Sequence, residues 1–192
     1  FYRNKTLERI DQFYRKNNYK DKKTKINGKF VPKIKDLFKM IDWKKLSVGV
    51  PVNFHGDLHF ENIIINSKKI KLLDWRQDFG SSLNYGDIYY DFAKLLHGMI
   101  VSHDIVLKNQ FEVIKEKNNI HIKIRKKLNN LVSIKLFEEW VKLKNYNFKK
   151  IKIICGLVYL NIAALHHNPY SLFLFYLGKL MIYNTLNNEK TI

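Results

Sequence analysis

Apolar residues recur every three or four positions along most of this chain, and only a few short stretches alternate or run continuously apolar. Leu7, Ile10, Phe13 and Tyr14 define one face of a helix over 7–16, with Thr6 placed as its N-cap. The lysine-rich segment 19–31, with Gly28, predicts a loop, and Pro32 then opens a helix over 33–43 whose apolar face is Ile34, Leu37, Phe38 and Ile41. After a connector at 44–51, a short strand at 52–55 leads into a turn. Two apolar strands follow, 62–65 and 70–74, joined by the polar residues 66–69 in a hairpin. Asp87 caps a helix over 88–103 that buries Ile88, Phe92, Leu95, Leu96 and Met99. Alternation at 111–116 and 120–124 about 117–119 predicts a second hairpin. Helices over 125–144, 148–167 and 170–187 complete the chain, with Asn168–Pro169 breaking the last two apart. The pattern is α+β and mostly helical.

Composition narrows the class. A chain of 192 residues with 46% hydrophobic positions can bury a core of its own as one domain or one lobe. Residues 1–12 are charged and lack the apolar stretch of a signal peptide. The apolar runs 151–165 and 170–183 are interrupted by Asn161, Gly178 and Lys179, so no membrane span is expected. The lone Cys155 lies in an apolar run and reads as a small core residue, consistent with a cytoplasmic protein. The net charge of +18 raises the question of a nucleic-acid partner. The lysines are spread from Lys5 to Lys190, and the aromatics are not interleaved with arginine. Both features favour a solvated cationic surface over a nucleic-acid patch.

The chemistry concentrates in 53–75, NFHGDLHFENIIINSKKIKLLDW. His55, Asp57 and Asn62 stand in the order H-x-D-x-x-x-x-N, and Asp74 closes the second apolar strand. The hairpin folds back so that Asn62 and Asp74 share one end of it. One carboxylate to take a proton from an attacking hydroxyl, with an amide oxygen and a second carboxylate for Mg²⁺, is what phosphoryl transfer requires. Elsewhere the signals are weaker. His166 and His167 are adjacent on a predicted helix, hence about 100° apart and unsuited to chelating one ion; they read as a helix-end cap or as lining of an acceptor pocket. His97 and His103 read as helix surface. Tyr85, Tyr89, Tyr90, Trp140 and Tyr170 read as core packing before an aromatic cage.

The run HGDLHFEN followed by LLDW, together with GDIYYDFAKLLHG at 86–98, resembles the aminoglycoside phosphotransferase and choline kinase family, small-molecule relatives of the protein kinases. The resemblance implies a protein-kinase-like C-lobe with a short catalytic β-hairpin, and ATP and Mg²⁺ as cofactors. Asp57 is then the catalytic base, and Asn62 and Asp74 are metal ligands. His55 is structural, and Asp91 ties the loop to the helical part by accepting its amides. His59, Arg76 and Asp78 become contacts to substrate or phosphate.

Two departures from that family stand out. An acidic residue is common two positions after the metal-binding Asp, where this chain has Arg76; this residue either pairs with Asp78 or clamps a phosphate or an acidic sugar. That favours a sugar or polyol of surface-polysaccharide (capsule or lipopolysaccharide) metabolism as acceptor over the amino alcohol that the resemblance also implies. Secondly, nothing before Asn53 reads as the β-rich N-lobe of such kinases. The chain therefore reads as a single C-terminal lobe over 1–192, with a helical lead-in (1–51), a catalytic core (52–103) and a helical subdomain (104–192). Its N-lobe is absent, supplied by another segment or by a fused domain. The rival readings are a metal-dependent hydrolase using His55, Asp57, His59 and Asp74 at a di-metal site, and a non-catalytic basic module that binds nucleic acid or acts as a scaffold.

Overall fold

The computed structural model describes residues 1–67, 69–80, 82–117 and 119–189. Helix α1 (Tyr2–Lys16) begins more than a turn before the expected start, because Tyr2 and Thr6 extend the stripe of Ile10 and Phe13 at a spacing of four. Thr6 is buried inside the helix and is not its cap; Phe1 occupies that position. The lysine-rich loop is a hairpin, β1 (Thr24–Ile26) and β2 (Lys29–Val31). Its turn is Asn27–Gly28, both at positive φ (46° and 84°), the pairing that a tight two-residue turn demands. The expected helix at 33–43 is two, α2 (Ile34–Lys39) and α3 (Trp43–Ser47). Asp42 starts the second by accepting the Lys45 N–H on its side chain.

Strand β3 (Pro51–Val52) is shorter than expected. A single 3₁₀ turn (Phe60–Asn62) enters the hairpin of β4 (Ile63–Asn66) and β5 (Lys69–Leu72). The two-residue strand β6 (Gly86–Asp87) pairs with β3 and runs into α4 (Ile88–Ile100), which Asp87 caps. The chain continues with α5 (His103–Leu107), β7 (Phe111–Glu116), β8 (Asn119–Ile124), α6 (Leu128–Leu143), α7 (Phe148–Ala163) and α8 (Tyr170–Leu186). Lys68 and Asn118, in the two expected hairpin turns, lie outside the described residues.

Helices α7 and α8 form the centre. They approach closely because Gly156 faces Gly178: a Cβ on Gly178 would lie 2.8 Å from the Gly156 carbonyl oxygen. Phe13 of α1 stacks on Phe175 of α8 at 4.3 Å, and α4 and α1 both lie against α7. Cys155 is buried and free. Lys179, fully buried on α8, is neutralised by Asp21 at 2.8 Å. Beside α8 lies a four-stranded sheet in the order β2-β1-β8-β7, in which β1 and β8 run parallel. The fold is thus α+β and mostly helical, but residues 1–51 are not purely helical: their hairpin completes a sheet with the one at 111–124. Among the described residues no helix is long and apolar enough to cross a membrane.

Candidate active site

The loop after β3 is held from beneath. Asp91, in the first turn of α4, accepts the backbone N–H of His55 at 2.8 Å and of Gly56 at 2.7 Å. Burial pushes the Asp91 carboxyl above the ordinary range, opposed by these two amides. Gly56 turns the chain at φ 80°, and a Cβ there would strike Arg76 at 2.6 Å. The ring of His55 lies under the loop, its Nδ1 accepting the Asp57 N–H at 3.2 Å and its face 5.0 Å from Trp75. The Arg76 N–H closes the arrangement by donating to the His55 carbonyl at 2.8 Å.

This framework presents Asp57 with only 8% of its surface exposed. Lys94 Nζ stands 2.5 Å from Oδ1, while Arg76 Nη2 at 3.0 Å and His59 Nε2 at 3.7 Å face Oδ2. Burial pushes this carboxyl up, but Lys94, His59 and Arg76 outweigh it and hold the group below the ordinary carboxylate range. Asp57 is therefore an ionised carboxylate at neutral pH. Arg76 pairs with Asp57 and not with Asp78. Lys94 is the residue that sequence reasoning missed. The signal was present: Asp87, Asp91 and Lys94 recur at helical spacing, so one stripe of α4 turns three charged side chains inward, all of them buried.

Asn62 and Asp74 lie at the open end of the β4–β5 hairpin. Ile63 faces Leu72 in the ladder, and the Leu73 N–H donates to the Asn62 carbonyl at 2.9 Å. Asn62 Nδ2 donates to the Asp57 carbonyl at 3.1 Å and lies 3.3 Å from His59 Nε2, which leaves its Oδ1 uncommitted among the described residues. His59 Nδ1 faces Glu61 at 2.8 Å. Asp74 is exposed, at φ 55°, with no hydrogen-bond or ion-pair partner among the described residues. An uncommitted amide oxygen and an uncommitted carboxylate are the hard donors that Mg²⁺ takes when phosphate oxygens and water supply the rest, so the residues present fit the ion. The di-metal alternative is not assembled. Among the described residues no group of three or more His, Cys, Asp and Glu is placed to hold a metal, and His55 is committed to the loop.

Asp57, Arg76 and Lys94 open onto a cleft of about 530 Å³, lined also by Lys5 and Arg9 of α1 and Asn161 of α7. Asp78 is exposed at its edge, and His59 does not line it. The five aromatics considered for a cage do not form one: only Tyr90 lines the cleft, while Tyr89 packs on Tyr146, Trp140 on Phe92 and Tyr170 on Phe111, and Tyr85 is exposed. His97 is not on the helix surface. Its ring packs against Tyr159, Nδ1 donates to the Lys94 carbonyl at 2.9 Å, and burial lowers its pKa to about 4. His166 and His167 are exposed beyond the end of α7.

Comparison with protein families gives one match, to the model of the phosphotransferase enzyme family (the aminoglycoside phosphotransferases), over residues 3–112. The chain belongs to this family. The matched segment runs from α1 into β7, so it holds Asp57, Asn62, Asp74, Arg76, Asp91 and Lys94, and also the lead-in before β3. Membership implies phosphotransferase chemistry in general. No curated protein and no solved structure matches the chain.

Proposed function

We propose that this chain is the C-terminal lobe of a cytoplasmic small-molecule kinase that moves the γ-phosphate of ATP to a hydroxyl of a sugar, polyol or amino alcohol, in surface-polysaccharide metabolism. The observation that carries the reading is the ionised, nearly buried Asp57 at the floor of a cleft, adjoining a hairpin end that offers two uncommitted hard oxygen donors. Asp57 orients the acceptor hydroxyl and takes its proton as the oxygen attacks phosphorus. Asn62 and Asp74 would hold Mg²⁺, which offsets the phosphate charge when bound. Arg76, half exposed, is the cation free to swing from Asp57 towards a phosphoryl oxygen, whereas Lys94 is held in the interior. The phosphate-covering lobe belongs to another segment of the protein or to a partner.

The test uses the full-length protein. Asp57→Ala should lower turnover by roughly 10²–10⁴-fold while nucleotide affinity stays within about threefold. Asp74→Ala should weaken Mg²⁺-nucleotide binding, read by titration calorimetry, by about tenfold or more. Turnover near wild type in Asp57→Ala would remove the assignment of the base.

A further inference from the structure

We infer that the acceptor carries an anionic group, a carboxylate or a phosphate ester, which Lys5 and Arg9 bind while Asp57 addresses its hydroxyl. This deepens the proposed kinase reading and rests on it for the identity of the ligand as acceptor. The argument starts at α1. Lys5 and Arg9 are four residues apart, so they share a helix face, and both line the cleft that contains Asp57. Among the described residues Arg9 reaches only Gln12, at 2.9 Å. Lys5 is half-buried. Its ammonium lies 4.8 Å from the ring centre of Phe1 and 5.5 Å from that of Tyr90, and no carboxylate stands within ion-pair distance among the described residues.

Its surroundings are cationic as well. Burial first, then Lys94, Arg9 and Arg76, depress the Lys5 ammonium, with Asp78 acting weakly against them. The cleft holds three carboxylates, but Asp57 is taken up by Lys94 and Arg76, and Glu8 and Asp78 are exposed at its edge. What remains inside is an unpaired ammonium beside three other cations. In the same lining, the buried Oδ1 of Asn161 has no hydrogen-bond partner among the described residues, so a polar group of a ligand is wanted there too. A half-desolvated, unpaired charge is unfavourable until a counter-charge arrives. A bound anion supplies it, whereas a cationic acceptor would add a fifth like charge to the group.

The experiment holds one ring constant and changes its charge. Binding of glucuronate, glucose 6-phosphate, glucose and glucosamine to the nucleotide-free full-length protein is measured at fixed ionic strength, with inorganic phosphate as a minimal probe. At least one acid, together with phosphate, should bind about tenfold tighter than glucose, and glucosamine weakest. Glucose 6-phosphate alone would identify a phosphate ester and glucuronate alone a carboxylate. Lys5→Gln combined with Arg9→Gln should abolish the preference, and Lys115→Gln on the exposed surface of β7 should keep it. If the double variant does not fold, Arg9→Gln alone should weaken the acid about threefold or more. Equal binding of all four sugars, tighter binding of glucosamine, no saturable binding of any anion, or an undiminished preference in the folded variants overturns the inference. Phosphoryl transfer is scored separately. Acid-selective binding without transfer keeps the anion site and removes the kinase reading. Transfer to glucose and glucosamine with kcat/KM equal to the acids keeps the kinase and removes the anion site.

Discussion

His97 shows how one side chain can tie the interior to solution conditions. Its folded-state pKa, about 4, lies below the ordinary 6.5, because the half-buried ring is desolvated against Tyr159 and lies near the Lys94 ammonium. The fold therefore favours the neutral ring. Its contribution is complete above about pH 6.5 and is lost as the pH falls towards 4, reaching about 2 kcal/mol at pH 5 by linkage. Urea unfolding should show that difference between pH 7.5 and pH 5, and His97→Gln should shrink it; an unchanged pH dependence in the variant would assign the loss elsewhere. Nothing in the sequence distinguishes His97 from His103, since both sit at helix positions in similar company, and only the packing of α4 against α7 separates a half-buried ring from an exposed one. The placement of Asn62 and Asp74 at one end of a hairpin was legible because the turn between them is local, with Asp57 in the loop just before it. Lys94 left only the helical spacing of charges along α4 as a local trace; its pairing with Asp57, on another element, had none.

Among the elements, α7 and α8 depend most on small residues. A methyl on Gly178 would meet the Gly156 carbonyl oxygen at 2.8 Å and Leu160 at 2.9 Å, and backbone cannot retreat as a side chain can. Gly178→Ala should therefore destabilise by about 1–3 kcal/mol despite its better helix propensity, measured by chemical denaturation. A stabilised variant would mean that the helices are not in contact at this point. Most helices and the β7–β8 hairpin were readable from periodicity, since burial on one face writes itself into the pattern; the β4–β5 strands were readable as apolar runs although they are largely exposed. The β1–β2 hairpin was hidden by brevity: three-residue strands hold too little alternation, and their lysines imitate a loop, although Asn27–Gly28 marked the turn. The split between α2 and α3 turned on one cap, Asp42.

At the scale of the whole molecule, the parallel pairing of β1 with β8 joins segments nearly a hundred residues apart, which no local pattern announces. It binds the lead-in to the later half of the chain and sets α1, with Lys5 and Arg9, along the wall of the cleft above Asp57. The site is thus assembled from α1, the β3–β4 loop, the β5–β6 loop with Asp74 and Arg76, α4 and α7, and its chemistry depends on all five holding position. The proposed phosphoryl transfer would need the metal at the hairpin end beside Asp57. The most direct measurement is a crystal structure of the full-length protein with ADP and Mn²⁺ as an anomalous stand-in for Mg²⁺. The account predicts an anomalous peak at about 2.0–2.2 Å from both Asn62 Oδ1 and an Asp74 carboxylate oxygen, with phosphate oxygens completing the shell. A metal–nucleotide complex bound elsewhere, with Asn62 and Asp74 left in solvent, would contradict it.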